Sequence, residues 1–82
     1  MDYAIKKTTN GKYTHIIHRF TQQTYGLRTK EAAREKLNEM WRRVQQHPQI
    51  VRNASASKDE FQYTLLLGTD TQEHIRFYID KL

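Results

Sequence analysis

The chain has no cysteine, which excludes both a disulfide framework and thiolate ligation of a metal. Its three glycines are scattered, so neither a Gly-x-x-x-x-Gly-Lys phosphate loop nor a dinucleotide-binding fingerprint can be assembled from them. Proline occurs once, at Pro48, and there is no repeat, linker or low-complexity tract. No apolar run approaches the roughly 18–20 residues that span a bilayer, and no basic-then-apolar leader opens the chain. A single soluble, cytoplasmic domain over residues 1–82 is expected, without a membrane partner.

Catalytic groupings are missing too. The only serines, Ser55 and Ser57, fall beside a turn without a Gly-x-Ser-x-Gly elbow. Asp59 and Glu60 are adjacent in an expected turn, whereas a proton-sharing carboxylate pair needs shielding from water. His15 and His18 lie three apart on an expected strand, which would send them to opposite faces, and His47 and His74 stand alone. The expectation is a non-enzymatic protein with no cofactor and no metal.

Acidic residues are the minority, nine against fourteen Lys and Arg, for a formal charge of +5. The imbalance is local. Residues 1–52 carry eleven basic and four acidic side chains, residues 53–82 three and five. A basic N-terminal half suits an anionic partner such as nucleic acid, although charge also serves solubility.

What is present is a fold pattern. From Thr29 to Gln46 the apolar residues Ala33, Leu37, Met40, Trp41 and Val44 form one stripe of an amphipathic helix. Thr29 is placed to cap it, Glu31 sits in its first turn, Arg42 and Arg43 in its last, and Pro48 stops it. Ahead of it, Tyr3–Thr8 and Tyr13–Arg19 flank Asn10-Gly11, a type I′ turn pair. A two-residue turn sets Ile5 opposite Ile16 and Tyr3 opposite His18, with Tyr3, Ile5 and Ile16 facing the core. Between hairpin and helix, Phe20–Arg28 reads as a loop or as a short third strand over Gln23–Leu27.

After Pro48, Ile50–Ser57 and Glu60–Leu67 pair across Lys58-Asp59, with Ala54 opposite Tyr63 and Ala56 opposite Phe61. Phe61, Tyr63, Leu65 and Leu67 alternate on one face, as do Ile75, Phe77 and Ile79 in the last run. For those faces to coincide the connecting loop must hold an odd number of residues, such as Thr69-Asp70-Thr71, which sets Leu65 opposite Ile75. The fold class is α+β, in the order β-β-α-β-β-β: an antiparallel sheet with one helix packed on one face.

Function is then sought on the sheet's other face, where this register gathers Lys6, Tyr13, His15, Ile17, Leu66, Arg76 and Tyr78. Basic and aromatic side chains on an open sheet suit stacking of unpaired bases. The same apolar members suit burial against a second copy or another protein, through the face or through an edge strand. The mixed-charge outer side of the helix reads as solvated.

Two short motifs, Asn10-Gly11-Lys12-Tyr13 and Gly26-Leu27-Arg28-Thr29-Lys30-Glu31-Ala32, resemble the N-terminal arm-type DNA-binding domain of phage tyrosine integrases over residues 3–45. The resemblance implies a three-stranded antiparallel sheet on a helix, with the sheet entering the DNA major groove. It further implies that Lys6, Lys12, Tyr13, His15 and Arg28 face DNA, and it points to a phage or mobile-element setting.

Overall fold

Asn10 and Gly11 turn the chain first. Both have positive φ, 54° and 69°, and the Lys12 amide donates to the Thr9 carbonyl at 3.1 Å, which closes the expected turn. The computed structural model describes residues 1–82 and places this turn between β1 (Tyr3–Thr9) and β2 (Tyr13–Phe20). Pairing resumes at Thr9 and Tyr13, leaving Lys12 as one residue more than a two-residue loop allows. One extra residue reverses the faces of the strand beyond it. Ile16 therefore stands opposite Lys6 instead of Ile5, and it is 40% exposed instead of in the core. The register shifts again between Ile5 and Lys6, where Ile17 is the extra residue, so that His18 faces Ile5 and Phe20 faces Tyr3. Phe20, buried, takes the core place expected of Ile16.

Phe20 ends β2, and residues 21–28 form neither a loop nor a third strand. The Thr21 hydroxyl accepts from the Thr24 amide at 3.4 Å and caps a single helical turn, α1 (Gln22–Tyr25). Gly26, at φ 62°, then leads through a 3₁₀ turn (Gly26–Arg28) into α2 (Thr29–Val44). The position beside β1 that a third strand would occupy belongs to the last strand of the chain. Thr29 does not cap α2. It is buried, and its hydroxyl donates to the Met1 carbonyl at 2.8 Å, which ties the helix start to the N-terminus. The apolar stripe is as the spacing requires: Ala33 and Leu37 are buried, and Met40, Trp41 and Val44 pack against the same core.

β3 (Val51–Ser57) and β4 (Glu60–Leu66) close across Lys58-Asp59, with Ser57 opposite Glu60 and Ala56 opposite Phe61. Asn53, at φ 54°, breaks the ladder between Arg52 and Ser55, so Ala54 lies in a bulge rather than opposite Tyr63. β5 (Gln72–Lys81) pairs with β4 after an odd loop, but two residues away from the expected register. Tyr63, not Leu65, stands opposite Ile75, and Leu65 faces Glu73. An even slip preserves the faces, and Phe61, Tyr63, Ile75 and Phe77 all lie under the helix.

The sheet runs β2-β1-β5-β4-β3, antiparallel throughout, so the N- and C-terminal strands are central neighbours. Phe61, only 1% exposed, is the hub: its ring centroid lies 5.0 Å from that of Phe77, 5.3 Å from Trp41 and 6.2 Å from Tyr63. Burial pushes the Tyr63 hydroxyl above its ordinary pKa. No helix is long and apolar enough to cross a membrane.

Candidate nucleic-acid interface

Directly opposite residues in an antiparallel ladder share a face, so the register decides which candidate side chains can meet. Lys6 stands opposite Tyr78 and Thr8 opposite Arg76, which places Lys6, Arg76 and Tyr78 together on the side away from the helix, with Ile16 beside them. Tyr13 and His15 stand opposite Thr9 and Lys7. Lys7 lies on the helix side, with Nζ 5.9 Å from the centre of the Phe77 ring, so Tyr13 and His15 share that side. The single basic and aromatic face expected of all five residues therefore divides in two. The cause is Lys12, the extra residue at the turn. The bulge at Ile17 has a parallel effect on the histidines. His15 and His18, expected on opposite faces, share one, since their partners Lys7 and Ile5 do.

The two halves differ in charge. On the far side, Lys6 Nζ donates to Asp80 Oδ2 at 2.8 Å, and Arg76 Nε donates to Glu60 Oε2 at 2.7 Å. Arg76 also lies 4.3 Å from the centre of the Tyr78 ring, covering the surface on which a base would stack. The Lys6 contact raises the lysine pKa and holds the Asp80 carboxyl below the usual carboxylate range. Arg28, at the start of α2, is on neither sheet face, and its guanidinium donates to Glu31 at 3.1 Å and Glu35 at 3.4 Å. These three cations already have carboxylate partners.

The β1–β2 hairpin is different. Tyr13 is 64% exposed, His15 is exposed, and Lys12 projects at the turn between them and β1. Lys7 and Lys12 are in no ion pair. Lys7 belongs with this group although the sequence pattern did not single it out. No local signal separated it from Lys6, since both lie in the same acid-free stretch between Tyr3 and Lys30. The hairpin tip is held against β5 by Asn10, whose amide donates to the His74 carbonyl at 2.7 Å while its Oδ1 accepts from the His74 amide at 2.8 Å. Lys12, Tyr13 and His15 thus sit at the β2 edge of the five-stranded sheet, beside a turn braced against β5.

One groove, of about 210 Å³, opens between α2 and the β3–β4 hairpin, with Leu37, Trp41, Ala56 and Phe61 as its apolar lining. Its polar end holds the Arg34–Asp59 ion pair, with Lys58 beside it. No group of three or more His, Cys, Asp or Glu side chains is placed to hold a metal ion.

The fold and this surface define the class: a small α+β protein whose basic hairpin forms one edge of a five-stranded sheet backed by one helix. Comparison with family models, curated proteins and solved structures returns no match.

Proposed function

We propose that the protein is a non-enzymatic binding module that engages nucleic acid through the helix-side face of the β1–β2 hairpin, with Lys7, Lys12, Tyr13 and His15 as the contact residues. The observation that carries this reading is the contrast between the two faces. On the far face Lys6 and Arg76 are paired with Asp80 and Glu60 and Arg19 is without a carboxylate, whereas on the helix side Lys7, with Lys12 at the turn, stands beside an exposed tyrosine and neither lysine is in an ion pair. Lysines of this kind neutralise phosphates and release counterions, and an exposed ring offers a base a stacking surface. The resemblance of residues 3–45 to arm-type DNA-binding domains points to the same hairpin.

The test is titration of labelled single- and double-stranded DNA and RNA at two salt concentrations. Binding is expected to weaken steeply with salt, with a slope of about −0.9 for each duplex phosphate neutralised. Lys12→Gln should reduce that slope by about one such increment, and Lys6→Gln should leave it unchanged. No binding at low salt, or equal effects of the two substitutions, overturns the reading.

A further inference from the structure

The sheet has two edges, and they are not alike. β3 presents Arg52, Asn53, Ser55 and Ser57, all polar, and Asn53 has a positive φ of 54°. Such features discourage a further strand from adding there. β2 runs from Tyr13 to Phe20 with no proline and no acidic residue, and two adjacent isoleucines, Ile16 and Ile17, are 40% and 39% exposed on it. The order of residues along β2 is also nearly the same read from either end. Tyr13-Thr14-His15-Ile16 is matched, in reverse, by Phe20-Arg19-His18-Ile17: aromatic, polar, histidine, isoleucine.

We infer that β2 is a self-pairing edge that takes β2 of a second copy of this chain, antiparallel, about a two-fold axis passing between Ile16 and Ile17. Such an axis sets Tyr13 against Phe20 of the second copy, Thr14 against Arg19, His15 against His18 and Ile16 against Ile17. A two-fold normal to a sheet keeps every residue on its own face, so each side chain can oppose only one from that face. In a regular strand an axis between consecutive residues violates this condition. The bulge at Ile17 satisfies it. Tyr13, His15, His18 and Phe20 all lie on the helix side, as their partners Thr9, Lys7, Ile5 and Tyr3 do, while Thr14 and Arg19 lie on the other, opposite Thr8 and Ala4. The 6.3 Å separation of the His18 and Phe20 rings is consistent with their common side.

Charge also permits this register. Arg19, the one permanently charged side chain on β2, faces a threonine and not its own copy. The exposed isoleucines meet at the axis, and the unpaired backbone N–H and C=O groups of both edges are satisfied together. The result is a continuous ten-stranded antiparallel sheet with both α2 helices on one side. This inference does not rest on nucleic-acid binding, because it is argued from the main-chain edge and the residue order of β2 alone.

Sedimentation equilibrium of the protein without nucleic acid, over a range of concentrations, tests it. A reversible monomer–dimer equilibrium is expected. Ile17→Lys sets two like charges beside the axis and should weaken association about tenfold or more while keeping the far-ultraviolet circular dichroism of the monomer. The natural absence of cysteine permits a second test by single cysteines. Ile17→Cys should form a covalent dimer on mild oxidation, and Leu67→Cys, at a 53% exposed position just past the end of β4 and away from the β2 edge, should not. A monomer at every concentration, association of Ile17→Lys equal to that of the natural chain, or equal cross-linking of the two cysteine variants overturns the inference. If Ile17→Lys fails to fold, the cysteine pair decides alone.

Discussion

The Arg34 guanidinium grips the Asp59 carboxylate with two bonds, Nε to Oδ1 at 2.7 Å and Nη2 to Oδ2 at 3.2 Å, and so fastens helix α2 to the β3–β4 turn. The same turn is tied to β5 from its other side, where the Ile79 amide donates to the Asp59 carbonyl at 3.0 Å. Asp59 also has a positive φ of 62°, a conformation that Asp and Asn tolerate better than other side chains that carry a Cβ. One residue thus closes a hairpin, docks a helix and meets a neighbouring strand.

The Arg34 bonds, with Lys30 a further 4.0 Å contact, hold the Asp59 carboxyl below its ordinary pKa. A carboxylate whose folded pKa is depressed contributes stability that is present above the unfolded value, about 3.9, and lost as pH falls through the folded value. Asp59→Asn keeps the backbone geometry and removes the charge. Urea unfolding should find this variant less stable than the natural chain at pH 7, with the gap closing below about pH 4. A gap that stays constant with pH would show that the ion pair contributes nothing. Asp80, held down by Lys6 in the same way, should act over the same range but is more exposed, so its effect should be smaller.

Phe61→Ala should be the most damaging single truncation, at about 3–5 kcal/mol in chemical denaturation, because it empties the centre of the aromatic cluster. Trp41→Ala should cost less, about 2 kcal/mol, since Trp41 is only half-buried and forms a wall of the groove. The reverse order would mean that the helix contact, not the sheet interior, dominates the core.

The helix, the strands and their odd connecting loop were legible because each rests on repeated side-chain spacing, and a repeated pattern survives a local error. Phe61, Tyr63, Ile75 and Phe77 kept their common face even though the actual register differs by two residues. β2 carried no such protection. Ile16 and Ile17 are consecutive, so alternation cannot say which of them points inward, and a bulge absorbs either answer. The extra turn residue, Lys12, had already divided the expected binding face before the bulge is reached. The ion pairs were hidden for another reason: Asp80 meets Lys6, and Glu60 meets Arg76, only because β5 inserts between β1 and β4. No local pattern encodes that insertion.

Asn10 provides a test of how the hairpin is braced. Asn10→Gly keeps the positive φ and removes only the side-chain bond to the His74 amide, so it should cost about 1 kcal/mol. Gly11→Ala meets no neighbouring atom but must adopt φ near 69°, which costs a comparable amount, about 1–2 kcal/mol. Hydrogen exchange separates the two. The His74 amide should lose protection in Asn10→Gly beyond the global change, whereas Gly11→Ala should lower protection only in proportion to global stability.

Tyr13 and Tyr78 separate the two sheet faces most directly. Both are tyrosines, but the ring of Tyr78 carries Arg76 at 4.3 Å while Tyr13 stands exposed at the hairpin tip. If bases stack on the hairpin, Tyr13→Ala should weaken oligonucleotide binding by about 1–3 kcal/mol, roughly 5- to 150-fold. Tyr78→Ala should change affinity by less than about twofold, because the Arg76–Glu60 pair remains and no stacking surface is lost. Fluorescence anisotropy with one labelled single strand at low salt measures both. A larger loss at Tyr78 than at Tyr13 would move the binding surface to the far side of the sheet, where Lys6 and Arg76 would have to exchange their carboxylate partners for phosphates.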